Sequence, residues 1–550
     1  MLAASAVIAG ALFSCGAQAE TLFVHANGYT FDAAKQLRRF DAMVVSDAGK
    51  ILKTGQLARL QKQFPKATRI DLDGKTVLPG LIDAHGHVLS LGIAANRLSL
   101  RPTQNLNEAL AAIRNYAAQA PHLKWIQGGE WNQAIWKLGR FPTAQELDSA
   151  VPDRPVWLRR VDGHAGWANS KALSLAGIDA QTADPAGGKI ERDAQGVATG
   201  ILIDGAMDLM EKVVPAPDAT EMRFALDGAL KELRRLGLTS VHDAGVTAYA
   251  DQLFREYAQA GQLSTRIYGM IGGVDFFFDQ MAATGPLTTS YDDRYALRAV
   301  KLYADGALGS RGAALLAPYS DAPHTKGLLF LSDKDMQAQI KKAALKGYQV
   351  NVHAIGDAGN RQVLEAFAQL PKEANAQQLR HRIEHAQVLA VDDIPKLKQL
   401  QIIPSMQPTH ATSDMNMAED RIGKVRIAGA YAWRRFLKQG SAIACGSDFP
   451  IENPNPFWGI DAAVNRWDFN QAQAKAWYPE QAMTVQEALR CFTLDAAYAA
   501  HQEKVLGSLE SGKWADFVVI DRDIFKIPRA QLHQITVLQT WVAGKQVFVK

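Results

Sequence analysis

The sequence predicts an α/β protein: a closed (β/α)8 barrel of the TIM type, a small β-sandwich domain built from both chain ends, and a large insertion after the first barrel strand. Three observations carry this expectation. Eight short apolar runs alternate with helical stretches through the middle of the chain, as parallel β/α units require. Strand-like segments broken by Gly and Asp occupy both ends. The connection leaving the first apolar run is far too long for an ordinary βα loop.

In chain order, residues 1–19 (MLAASAVIAGALFSCGAQA) are uncharged and close on the small-x-small pattern Ala17-Gln18-Ala19. They read as a signal peptide cleaved after Ala19, which makes the protein exported, periplasmic or secreted. The apolar run is at the short end for a membrane span, so no stable span is expected. Leu12-Phe13-Ser14-Cys15 offers a lipid-anchored form as the lesser reading, because Phe13 fits that pattern poorly.

Residues 20–78 carry the N-terminal strands of the small β domain, at Thr21–Val24, Ala42–Val45, Arg69–Leu72 and Thr76–Leu78. Residues 79–91 start the barrel, 92–235 form an inserted α/β domain, and 236–505 complete the barrel. The eight barrel strands are expected at Leu81–Ala84, Thr239–His242, Ile267–Met270, Ala299–Tyr303, Gln349–His353, Arg382–Glu384, Ile402–Ser405 and Ser441–Cys445. Helical stretches at Asp335–Lys346, Asn360–Gln369, Ile394–Gln399, Ala428–Lys438 and Thr484–Ala500 separate or follow the later ones. Residues 506–550 return to the small domain through Ala515–Ile520, Val537–Val542 and Gln546–Val549. Neither end can bury two sheet faces alone, so the two should pack together.

Composition narrows the partners. With 550 residues, 47% of them hydrophobic, the chain can bury a large core. Sixty basic and 56 acidic residues leave a net charge of only +4, and no basic block with interleaved aromatics marks a nucleic-acid surface. A small-molecule substrate is expected, with a homo-oligomer left open. Without the leader only Cys445 and Cys491 remain, too few for a disulfide scaffold.

The chemistry gathers at the ends of the apolar runs. In Pro79-Gly80-Leu81-Ile82-Asp83-Ala84-His85-Gly86-His87, two histidines at i and i+2 point to one side of an extended segment and can share a metal. His353 follows Val350-Asn351-Val352, His385 follows Arg382-Ile383-Glu384, and Asp448 follows the eighth run. Barrel geometry brings all of them to one rim, where four histidines and an aspartate make a divalent-metal site. Lys301 lies amid apolar neighbours on the fourth run; taken alone it is either a buried, paired lysine or an amine that has captured carbon dioxide to become an anionic ligand.

The set PGLIDAHGHV (79–88), VKLYADGALGSRGA (300–313), VNVHAIGDAG (350–359), HRIEHAQ (381–387) and GSDFP (446–450) resembles the metal-dependent amidohydrolase superfamily, and within it the insertion-bearing YtcJ-like branch, amidohydrolase family 3. The resemblance covers nearly everything after the leader. It implies that His85, His87, Lys301, His353, His385 and Asp448 hold the metal, with Lys301 N6-carboxylated and Asp448 carrying the proton. Zinc is the default ion on ligand softness, and two ions are expected rather than one.

Substrate contacts are sought at Glu130, Trp131, His164, His242 and Arg311, with Trp136 and Trp167 as further aromatic surface. Packing is the competing role for each. Arg311 could receive a substrate carboxylate, or order its loop by an ion pair. The insertion is then a selector of amphipathic substrates above the metals. The resulting function is metal-dependent hydrolysis of a non-peptide C–N bond in an amide, N-acyl group or cyclic amide. An esterase or lactonase using the same centre is the enzymatic alternative, and a non-catalytic binding protein the other.

Overall fold

Eight parallel strands pair side by side in chain order: β1 (Leu81–Gly86), β2 (Leu238–Val246), β3 (Arg266–Gly272), β4 (Tyr295–Tyr303), β5 (Gln349–Ala354), β6 (Arg382–His385), β7 (Ile403–Met406) and β8 (Ala444–Cys445). The structure is a computed structural model describing residues 20–550 except 96, 122, 216, 289 and 472–474; the leader expected at 1–19 lies outside the described residues. β5, β6 and β7 are buried along their whole length, as strands covered on both faces must be. The barrel is nearly closed. A parallel bridge joins Gly86 to Phe449, and the Asp448 amide donates to the His85 carbonyl at 2.7 Å. Gly86 is needed there, because a Cβ would sit 2.4 Å from the Phe449 ring.

The intervening helices bury one stripe each. In Asp333–Leu345, Met336, Ile340, Ala343 and Ala344 repeat at helical spacing, and the Ser332 side chain accepts from the Asp335 amide at the N-terminus. Two expected helices are divided. Thr484–Ala500 is two helices, Val485–Cys491 and Leu494–Ala499; the break at Phe492 lets its carbonyl accept from the Ile82 amide of β1 at 2.7 Å. Ala428–Lys438 is a 3-10 turn, Ile427–Gly429, then the helix Trp433–Lys438. Between them the Tyr431 amide donates to Gln387 and the Leu389 amide to Gly429, which fastens the loop leaving β6.

Strands from both chain ends share one six-stranded sheet, in the order Lys545–Val549, Val537–Val542, Phe517–Ile520, Thr76–Pro79, Asn27–Phe31, Leu37–Phe40. A four-stranded sheet of Ile51–Gly55, Ala42–Val45, Thr21–Val24 and Thr68–Asp71 faces it across Phe23, Met43, Phe517 and Trp541. Between β1 and β2 runs a further six-stranded mixed sheet, from Leu98–Ser99 through Ile126–Trp131, Val156–Arg160, Ala165–Ala168 and Ala198–Asp204 to Gly188–Arg192, with its own hydrophobic cluster. Cys445 and Cys491 form a disulfide that ties β8 to the helix Val485–Cys491, closing a 46-residue separation. Among the described residues no helix is long and apolar enough to cross a membrane.

Candidate active site

The strand ends place the predicted ligands around one buried space. β1 delivers His85 at its end and His87 just beyond, β4 carries Lys301, β5 ends with His353, β6 with His385, and Asp448 follows β8. Among the described residues, His85, His385 and Asp448 bring one ligand atom each within 4.8 Å of one another. The His85 ring centroid is 4.8 Å from that of His385, which is 4.6 Å from that of His353. His87 Nε2 lies 3.0 Å from Asp448 Oδ1, and Lys301 Nζ lies 3.3 Å from His85 Nε2. His385 and Asp448 hold left-handed φ values of 73° and 62°, conformations that non-glycine residues keep only where surrounding structure imposes them.

Electrostatics keeps these groups in metal-binding form. Burial, reinforced by neighbouring histidines and Lys301, holds His85, His353 and His385 well below the usual histidine pKa, so their rings are neutral with free lone pairs. Burial alone would push the Asp448 carboxyl up, yet His85, His87 and His410 bring it well below the ordinary carboxylate range. The donor set fits a divalent cation on three counts. His353 Nε2 is buried without a hydrogen-bond partner. Lys301 is 1% exposed and, among the described residues, pairs with no carboxylate. Imidazoles with one carboxylate are the ligand class of zinc and its first-row neighbours.

Residues 68–548 match the amidohydrolase family model. The chain belongs to the metal-dependent amidohydrolase superfamily, in its YtcJ-like family. It is 34% identical to YtcJ of Bacillus subtilis over 533 residues, spanning 95% of this chain and 98% of that one. It is 29% identical over 541 residues to an N-substituted formamide deformylase of Arthrobacter pascens, 96% of this chain and 97% of the relative. A metal-dependent hydrolase from Pyrococcus horikoshii has the same fold, with a TM-score of 0.75 and 26% identity, covering 93% of this chain and 99% of the other. The amidohydrolase is therefore an enzyme acting on carbon–nitrogen bonds other than peptide bonds.

Beneath the ligands lies a layer that motif reading passed over. His85 Nδ1 donates to Glu384 Oε2 at 2.5 Å, with both side chains fully buried. Arg382 lies 2.7 Å from Glu384 and donates to the Ala84 carbonyl and the Ser405 hydroxyl. His385 Nδ1 donates to Gln407 Oε1 at 2.8 Å, and Asp83 accepts from the His85 and Ser447 amides and the Ser447 hydroxyl. Burial raises the Asp83 carboxyl to about 7. Such partners fix the tautomer so that His85 and His385 turn Nε2 inward. Glu384→Gln should weaken metal binding by about 10- to 100-fold with the barrel intact; competition with a chromophoric chelator reads this, and unchanged affinity would reduce Glu384 to a packing residue.

His410 was also missed. It stacks on His385 with ring centroids 5.7 Å apart, its Nδ1 accepts from Gln387, and its Nε2 lies 3.7 Å from Asp448 Oδ2. Its signal was Gln407-Pro408-Thr409-His410 directly after β7, which parallels the other strand-end histidines.

Of the predicted substrate contacts, His164 lies beside the ligand set. Its ring lies 5.3 Å from that of His353 and Nδ1 is 2.7 Å from Asp204 Oδ1. Burial opposes a charge on it, but Asp204, Asp162 and Asp448 raise its pKa overall. Trp131 requires correction, while His242, Glu130 and Arg311 have protein partners. His242 is wholly buried below the ligands, accepting from Arg382 at 3.0 Å and lying against Tyr268. Trp131 is a core residue of the insertion, as are Trp136 and Trp167; their indole N–H groups donate to Leu158, Thr103 and Thr143. Glu130 pairs with Arg101, whose guanidinium also reaches the Pro450 and Ile451 carbonyls, so it braces the loop after Asp448. Arg311 pairs with Asp321, which Arg421 also engages, and so orders its loop. The amphipathic surface expected from the three tryptophans is thus spent on packing.

Proposed function

We propose that this amidohydrolase cleaves an amide, N-acyl or cyclic-amide C–N bond of a small molecule, using a zinc centre of two ions held by His85, His87, N6-carboxylated Lys301, His353, His385 and Asp448. The observation that carries the reading is the convergence of neutral, lone-pair-bearing histidines and an ionised aspartate in one buried space. When bound, the metal supplies a water acidified toward neutral pH and positive charge for the carbonyl oxygen. Asp448 takes the proton of the attacking water on its carboxylate and returns it to the departing nitrogen. The buried walls exclude bulk water, and Glu384 and Gln407 hold His85 and His385 in position. The Arthrobacter relative, named as a deformylase of N-substituted formamides, supports an N-acyl substrate.

Export to the periplasm or medium is part of the same proposal. The leader at 1–19 and the Cys445–Cys491 disulfide support it, since disulfides persist in oxidising compartments.

Protein purified without added zinc should contain first-row metal and hydrolyse short-chain 4-nitroanilides. A strong chelator should abolish the activity, and zinc should restore it. Full activity in a metal-free preparation overturns the reading, and turnover of the matching 4-nitrophenyl esters alone replaces the C–N assignment with esterase chemistry.

A further inference from the structure

The insertion contributes one polar pair to the active site that none of the barrel strands supplies. His164 sits in the turn between Val156–Arg160 and Ala165–Ala168, and Asp204 ends the strand Ala198–Asp204. The Asp204 amide donates to the His164 carbonyl at 3.1 Å, so backbone and side-chain bonds join the same two residues. The Asp204 carboxylate is 2% exposed and rests in a notch of the loop after β4. Cβ atoms added to Gly306 or Gly312 would lie 2.8 and 2.6 Å from its Oδ2. Those two glycines let the insertion seat this carboxylate directly on the barrel segment that follows Lys301.

We propose that His164 is a catalytic residue that accepts a hydrogen bond from the N–H of the scissile amide, and that Asp204 positions it. In the singly protonated ring the proton lies on Nδ1, facing Asp204, and Nε2 presents its lone pair. Among the described residues nothing bonds to that Nε2, and the ring stands beside His353 at the mouth of the buried space. An acceptor there selects substrates whose nitrogen carries hydrogen, namely secondary amides and N-acyl amines. It disfavours esters and N,N-disubstituted amides, which offer an oxygen or a carbon in its place. No covalent bond changes at His164: the contact orients the nitrogen and strengthens when that nitrogen takes up the proton returned by Asp448.

The inference rests on the proposed amide hydrolysis, and its test separates the two. A 4-nitroanilide, its N-methyl analogue and the corresponding 4-nitrophenyl ester are assayed at about pH 9, above the histidine range, with the wild type, His164→Phe and Asp204→Asn at measured metal content. The anilide-to-ester and anilide-to-N-methyl ratios of kcat/KM should fall about 10- to 100-fold in His164→Phe, and by less in Asp204→Asn, which keeps the ring but removes the charge holding its Nδ1 proton. Calorimetry adds a readout free of turnover: the wild type should prefer an aryl methylphosphonamidate over the phosphonate ester that replaces its N–H by oxygen, and His164→Phe should lose that preference. Parallel loss on all three substrates with the phosphonamidate preference intact assigns the pair a structural role and overturns the inference. A wild type that turns over neither anilide nor ester and binds neither phosphorus compound overturns the functional reading, and the inference falls with it.

Discussion

Replacing Asp448 with asparagine should slow hydrolysis by about 10²-fold or more while the fold survives. Asparagine matches the side chain in size and tolerates the left-handed φ of 62° that position 448 requires. The Asp448 amide bond to the His85 carbonyl, which closes the barrel at β8, does not involve the side chain and remains. What disappears is the ionised carboxylate. His85, His87 and His410 hold it well below the ordinary range, so it begins the cycle unprotonated and can take up a proton from water. Hydrolysis measured at matched metal occupancy checks this: a near-normal rate removes Asp448 from proton transfer, whereas loss of rate only in proportion to lost metal makes it a ligand alone.

The site residues divide by the kind of information that places them. His85, His87, His353, His385 and Asp448 were legible because each follows an apolar run that can only be a buried strand, and strand ends of such a barrel share one rim. Glu384 was in plain view inside HRIEH, but only closure of the barrel sets it 2.5 Å from a histidine 299 positions earlier. His410 had a weaker signal, since it stands four residues past the end of β7 rather than at the strand end itself. The aromatics of the insertion misled for the opposite reason. A tryptophan with its N–H on a backbone carbonyl in a core and one lining a pocket look alike in sequence, and the cluster around Ile126, Leu147 and Ile201 claimed all three. The division of Thr484–Ala500 was equally hidden, since both halves have helical composition and the break serves a bond to Ile82 on a distant strand.

Lys301→Met should have the largest effect: loss of part of the bound metal and a fall in hydrolysis of about 10³-fold or more, since a metal centre supplies several kcal/mol of transition-state stabilisation. Methionine fills a similar volume and is apolar, so in a site 1% exposed it suits the surroundings better than an amine does. The two readings of Lys301 therefore predict opposite patterns. If the lysine only packs, with its Nζ 3.3 Å from His85 and 4.5 Å from the Tyr303 ring centroid, the substitution leaves metal content unchanged. If its amine carries a carboxylate, the substitution removes an anionic ligand, and metal stoichiometry and rate fall together while the metal-free protein melts no earlier than wild type. Calorimetric melting of the metal-free forms beside metal analysis separates the two. Carboxylation also requires carbon dioxide, so the wild type reloaded with zinc in carbonate-free buffer should recover activity only when bicarbonate is returned, and full recovery without it would exclude the carboxylated lysine.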